Sequence, residues 1–486
     1  MQSLNHSKFN RNQTIHHPSF FTYHFSLSML KYFILLTYIL VMIGTGIYSS
    51  LKVKNSGDFL VAGNRGNVWQ ITGSLLATIL GSSAILGSSD LAFTQGWAAA
   101  WMILTGAMGL FLLVFLAPLV KRQGKYTLPQ LIGDHYGVEA KVIASFVIPI
   151  AWIGIIAAQM IGGAKVMNSF FGWPYGWSVV GIGSLFIFYT TIGGQISVIK
   201  TDVIQSFIII LGIASIAVYL YFKVPVNWVE RPPQAFPFNI SFQPFDLFIL
   251  FLTHSTTYLV GPDIYTRLFC ANSEKVARKS VLLTSIILIP FAFLITFLGV
   301  YAAHQYPDFD FRQGSSLISV MNHILPEWGI GLLVAAILSG IMSAASTTLL
   351  TSSVIVSNTM NEDLDSPVSL RQTKLILVCI GVLSMLLALE VTSIIQSLLI
   401  ALTFFSGAFI LPVLAGLFGF RNNRLQSNIA IVIGGSVALA GKIFALLGHA
   451  TVGNILILGA FLLNGLLLFP GGRWIRITRE SSETNR

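Results

Sequence analysis

From residue 30 almost to its end, the chain repeats apolar runs of about twenty residues separated by short polar breaks. A run of that length crosses the hydrocarbon core of a bilayer, where no water satisfies the backbone, so each run must be a helix or part of a closed barrel. The runs are too long and too continuously apolar for barrel strands, which alternate over about ten residues. Thirteen are read, near 30–51, 69–94, 97–120, 142–171, 174–192, 196–222, 244–266, 280–303, 328–357, 373–389, 393–417, 427–448 and 452–470. The sequence therefore predicts an all-α polytopic membrane protein with about thirteen transmembrane helices. Charged residues are 9% of the chain, against roughly 25% in soluble globular proteins, which excludes a water-soluble fold.

An odd number of crossings puts the two termini on opposite sides, and basic residues say which is which. Alternate loops carry nineteen of them: Lys52, Lys54 and Arg65; Lys121, Arg122, Lys125 and Lys141; Arg267, Lys275, Arg278 and Lys279; Arg371 and Lys374; Arg421 and Arg424; Arg473, Arg476, Arg479 and Arg486. The other side holds Lys8, Arg11, Lys31, Lys223, Arg231 and Arg312. The positive-inside rule then predicts an integral protein of the plasma (inner) membrane, amino terminus outside and carboxyl terminus cytoplasmic. The net charge of +10 follows from those loops, and nucleic acid is not implied as a partner. The lipid bilayer is.

Residues 1–28 are polar and include His6, His16, His17 and His24. They are read as a disordered extension or an over-called start, because Met29 opens directly into the first run and nothing before it could bury a core. Residues 29–470 form the membrane domain and 471–486 a cytoplasmic tail. Cys270 and Cys379 have neither disulfide nor zinc spacing and are expected to pack as thiols. No extramembrane stretch exceeds about thirty residues, too short for a soluble domain of ordinary size, so the chemistry must lie inside the bundle.

Two runs carry breaks. The second contains Gly81-Ser82-Ser83 at mid-span, where small residues permit close packing or an unwound turn with free carbonyls. The seventh contains Gly261-Pro262-Asp263, and a proline there deprives a preceding carbonyl of its donor. Interrupted runs five helices apart point to an inverted-repeat transporter, since an odd offset reverses orientation. The ninth run places Ser339, Ser343, Ser346 and Thr347 on one helical face, a set suited to interhelical hydrogen bonds or to a hard cation. The sixth buries Asp202, and an intramembrane carboxylate must be paired, hydrated, protonated or ion-bound. Lys165, Glu390 and Lys442 lie near run ends, where long charged side chains snorkel to the interface. No His-Glu-x-x-His or Gly-x-Ser-x-Gly motif suggests an intramembrane enzyme.

Asp58-Phe-Leu-Val-Ala-Gly-Asn-Arg65, Gly193-Gly…Thr201-Asp202…Gln205, Arg267 with its basic loop, and the Met- and Ser-rich ninth run together resemble the sodium:solute symporter family, which includes sodium-coupled sugar, proline and sialic acid transporters. The resemblance spans about residues 29–470. It implies a leucine-transporter-like 5+5 inverted-repeat core, with repeats near 69–222 and 244–417. It also implies a secondary active symporter importing a small polar solute by alternating access, with sodium as coupling ion. A proton-coupled transporter of the same fold and a non-transporting solute sensor are the alternatives.

Carried over by position, the resemblance implies a sodium site made by the backbone carbonyls of Ala77, Leu80 and Gly340 and the hydroxyl of Ser343. The family usually has Ser or Thr after that serine, whereas Ala344 stands here, so one oxygen is missing. A second site seen in some members would use Asp202, Ser343, Ser346 and Thr347. The solute would meet Ser82, Ser83, Thr257, Tyr258 and Gln396. Ile79, at a position often polar in sugar carriers, counts against a sugar.

Overall fold

The computed structural model describes residues 29–50, 64–123, 127–223, 235–308, 315–360 and 367–474. The histidine-bearing segment 1–28, most of the Asp58–Arg65 motif and the tail beyond 474 lie outside the described residues.

The first repeat region begins after α1 (Leu30–Ser50). It runs through α2 (Val68–Ile79), a π-helical turn at Ser83–Gly87 and α3 (Ser88–Gln95). It continues as α4 (Trp101–Arg122), the short α5 (Leu128–Tyr136), α6 (Val138–Phe171), α7 (Tyr175–Ile192) and α8 (Ser197–Lys223). The second comprises α9 (Pro244–Leu250), a π-helical turn at Phe251–Ser255, α10 (Thr256–Val260), α11 (Pro262–Cys270) and α12 (Glu274–Gln305). The short α13 (Ser316–Ile324), then α14 (Glu327–Met360), α15 (Pro367–Glu390) and α16 (Ile394–Leu417) complete it. A hairpin of α17 (Arg424–Leu446) and α18 (Ala450–Leu468) follows. It is flanked by β1 (Phe420–Arg421) and β2 (Arg473–Trp474), an antiparallel pair in which Phe420 faces Trp474.

Among the described residues, ten helices are long and apolar enough to cross a membrane. The remaining apolar segments, α1, α2 and the interrupted stretch 244–270, are shorter pieces. Length and apolarity alone therefore give ten spans, not the expected thirteen.

Local chemistry sets the helix ends. Asn67 and Gln70 close a reciprocal capping box at the start of α2, with Asn67 Oδ1 accepting the Gln70 N–H at 3.0 Å. Gly194, at φ 58° and ψ −176°, makes the sharp bend between α7 and α8, a conformation that needs a residue without Cβ. The first segmented stretch packs against α12 and, through α2, against α8, and the second packs against α4, while α1, α6, α8 and α15 surround α14. Within the most apolar stretch of α14, 94% of residues are buried, against 33% for α15 and 28% for α18. This helix has no lipid face, which is why its hydroxyls are tolerated within the span. Cys270 is buried as expected, but Cys379 is exposed on the outer face of α15 and packs against nothing inside.

Candidate functional site

The helix formed by α2 and α3 opens at residues 80–82 because its hydrogen bonds are diverted. The Ser82 N–H donates to Gln159 Oε1 of α6 at 2.8 Å, and the Ser82 hydroxyl donates to the Ala158 carbonyl at 2.8 Å. The Thr78 carbonyl thereby loses its usual donor four residues on, at a helix end whose carbonyls already lack partners. Gly81 is required here, since a Cβ would come within 2.7 Å of Gln159 Oε1 and 2.9 Å of the Ala344 methyl. Gly340 on α14 is likewise required, because a Cβ would collide with the Leu80 carbonyl oxygen. The break of α2 and the middle of α14 thus meet backbone to backbone, which brings Leu80 and Gly340 together as expected.

Beside this seam lies a buried charged cluster. Asp202 on α8 accepts hydrogen bonds from Ser343 (2.6 Å, to Oδ1) and Ser74 (2.5 Å, to Oδ2). Arg267 on α11 donates to Asp202 Oδ2 at 3.3 Å, with both side chains fully buried. The same guanidinium donates to the Thr347 hydroxyl, and Thr347 lies 3.3 Å from the Thr78 hydroxyl. Ser346 donates to the Ser343 carbonyl at 3.1 Å. Asp202, Ser343 and Thr347 therefore converge, with Arg267 as the cation at the carboxylate. The Nε and one terminal nitrogen of Arg267 are buried and have no partner among the described residues. Ser74, which sequence reasoning missed, completes the cluster; its only signal was a helical face shared with Thr78.

The second break, Gly261 between α10 and α11, is extended at φ −63° and ψ 132°. Pro262 has no N–H to offer the Tyr258 carbonyl. Asp263 sits in the first turn of α11, where the helix dipole favours an anion. Between the two breaks lies a cavity of about 50 Å³ whose wall includes Ile79, Ser83, Gln159, Thr257, Tyr258 and Asp263. Small-molecule sites occupy about 300–1,000 Å³, so a solute enters only when these helices move apart.

Of the residues nominated for the solute, Ser83, Thr257 and Tyr258 share this wall. Ser82 does not: its hydroxyl is spent on α6. Gln396 is exposed in the first turn of α16, where its N–H donates to the capping Ser393 hydroxyl at 3.3 Å. The structure does not bring it to the cavity. Gln159 is the wall residue without a sequence signal, a lone amide within an apolar run.

The sequence profile of the sodium:solute symporter family matches residues 59–434. The sodium/pantothenate symporter of Escherichia coli (strain K12) is 24% identical over 468 residues, 90% of this chain and 95% of that protein. The sodium/sialic acid symporter SiaT of Proteus mirabilis (strain HI4320) is 24% identical over 396 residues, 74% of this chain and 78% of that protein. The match to the sodium/glucose cotransporter of Vibrio parahaemolyticus covers 35% of that protein. Among solved structures, a substrate-bound, outward-open sodium-coupled sialic acid symporter aligns with TM-score 0.74 at 22% identity, covering 92% of this chain and 99% of that one. A nucleobase-cation-symport-1 family transporter in a closed conformation aligns at 0.58 and 12% identity, over 86% of this chain and 95% of that one. These neighbours share the leucine-transporter-like fold, and they are transporters, not enzymes. On the match over most of its length, the chain belongs to the sodium:solute symporter family.

Proposed function

We propose that the protein couples inward sodium movement to import of a small polar solute by alternating access, at the plasma (inner) membrane. In this reading the chain crosses thirteen times, counting α1 and each segmented stretch once, with the carboxyl terminus cytoplasmic. Residues 29–470 act as one membrane domain, and residues 1–28 are dispensable. The observation that carries the reading is the backbone seam between Leu80 and Gly340 beside the buried Asp202. A hard cation takes oxygen ligands, and the seam offers carbonyls, hydroxyls and one carboxylate, the last held by the Arg267 guanidinium.

The principal sodium site uses the carbonyls of Ala77, Leu80 and Gly340 with the Ser343 hydroxyl, and is short of one oxygen at Ala344. The second uses Asp202, Ser343, Ser346 and Thr347. Because Ser343 is common to both, its bond to Asp202 links them, and sodium arriving at Asp202 has to displace the Arg267 guanidinium. The relatives transport pantothenate, sialic acid and glucose by name; Ile79 in the cavity wall argues against a sugar here.

The test is a thermal-shift screen of purified protein against pantothenate, sialic acid, proline and glucose, with and without sodium, followed by uptake and counterflow in proteoliposomes. Sodium-stimulated uptake of a stabilising solute is expected. Uptake driven by an imposed pH gradient in sodium-free buffer, with no response to sodium, would replace sodium by protons. Binding without counterflow would make the protein a sensor.

A further inference from the structure

The break in α2 is held open from outside the helix. Its backbone ladder ends with the Leu80 N–H on the Leu76 carbonyl at 2.9 Å and resumes with the Ile85 N–H on the Gly81 carbonyl at 3.1 Å. Between those bonds the carbonyls of Ala77, Thr78, Ile79 and Leu80 receive no backbone N–H among the described residues. Leu80 itself, at φ −82° and ψ 44°, has left the helical region, and its carbonyl lies against Gly340. A buried backbone donor without a partner is costly. If nothing outside the helix accepted the Ser82 N–H, the regular partner would be the Thr78 carbonyl four residues back, and taking it would rebuild the turn.

Gln159 supplies the outside acceptor. Its Oε1 takes the Ser82 N–H at 2.8 Å, and because an N–H bonds only to an acceptor, the contact fixes which end of the amide faces Ser82. The neighbouring Ala158 carbonyl takes the Ser82 hydroxyl at 2.8 Å. One turn along α6, Gly162 lets the two helices come this close, since a Cβ there would lie 2.3 Å from the Ser82 Cβ. Gln159 is buried, and among the described residues the bond to Ser82 is the only one its amide makes. A buried amide in an apolar stretch costs free energy unless it is bonded, so this pairing settles both groups at once.

We propose that Gln159 is a positioning residue for sodium. It lies outside the ligand set, and it acts by holding the Ser82 N–H away from Thr78, so that the turn carrying the Ala77 and Leu80 carbonyls stays open. Without it, Ser82 closes onto Thr78 and sodium has to break that bond before it binds. The proposal rests on the symport reading and adds to it a side chain that sets sodium affinity without touching the ion. Gln159 also lines the central cavity, so a side chain that serves only the solute is the rival role, and the experiment is run without solute to separate the two.

The purified full chain is titrated with sodium chloride in a thermal-shift assay, with choline chloride keeping the ionic strength constant. The reading is the sodium concentration that gives half of the maximal stabilisation. Gln159→Leu, apolar and of similar size, should raise it about tenfold, the worth of one hydrogen bond. Gln159→Glu keeps an acceptor within reach of Ser82 and should hold the half-point at or below the wild-type value. Gln159→Met, unbranched, repeats the first measurement where Gln159→Leu does not fold.

A lower melting temperature in the apolar variants with an unchanged half-point would reduce Gln159 to a packing or solute-contacting residue and overturn the proposal. So would a half-point raised as far by Gln159→Glu as by Gln159→Leu, because the acceptor alone would then not suffice. The two readings fail distinguishably. A wild-type chain that sodium does not stabilise removes the symport reading and this proposal with it, whereas a wild-type sodium response that Gln159→Leu leaves intact removes this proposal alone.

Discussion

Asp202 and Arg267 illustrate how a buried ion pair combines function with a stability liability. Removing one partner of such a pair costs about 3–5 kcal/mol because the other charge is left desolvated and alone. Arg267→Gln should therefore lower the melting temperature of the purified protein markedly, and the double change with Asp202→Asn should recover part of the loss. Recovery fails if the two residues act independently. Asp202→Asn alone keeps the shape but removes the charge that offsets cation dehydration, so it should abolish or severely weaken sodium-stimulated uptake. Ala344→Ser, which sets a hydroxyl beside Gly81, should instead lower the sodium concentration for half-maximal uptake; an unchanged or higher value would dismiss the missing-ligand argument. An intramembrane carboxylate and four hydroxyls on one face stand out against apolar surroundings, but Arg267, read in the sequence as a loop residue, lies fully buried in α11 against that carboxylate. Gln159 and the true orientation of Ser82 were not legible in the sequence either, since which side chain receives a diverted backbone N–H depends on a neighbouring helix distant in sequence.

At the level of elements, hydropathy located the spans well wherever a helix stays apolar to its ends. The predicted 142–171 and 196–222 correspond to α6 and α8 within a few residues. The predicted run at 280–303 falls short of α12, which begins at Glu274, because its first turns are charged and reach beyond the hydrocarbon. The short helices α5 and α13 escaped notice for the same reason: they have too few apolar residues to register as spans. The run at 69–94 proved to be three pieces, although its Gly-Ser-Ser signal marked the position of the break. The bend at Gly194 is more demanding than either break, since its backbone angles are essentially restricted to glycine. Gly194→Ala should cost about 1–3 kcal/mol, read as a lower melting temperature in detergent, while Gly44→Ala, inside α1 with nothing within 4 Å of the added methyl, should hold or raise it. Equal effects would show that the bend carries no strain.

For the whole molecule, the distribution of basic residues predicts that a reporter fused after Arg486 is active only on the cytoplasmic side; activity on the outer side would defeat the thirteen-crossing arrangement. The fold class was readable because the bilayer leaves so few architectures, whereas the solute was not, because its cavity is shaped by side chains from helices far apart in sequence. The enclosure of α14 bears on how this protein can evolve. A helix at the perimeter has one side that only lipid tests, so substitutions accumulate there with helical periodicity, as α15 and α18 permit. α14 offers no such neutral side. Variation along it should show no helical rhythm, each position being constrained by a different neighbour. Change in ion preference would then arise through rare paired replacements across the α2–α14 seam, while the perimeter helices drift freely with the lipid composition of the host.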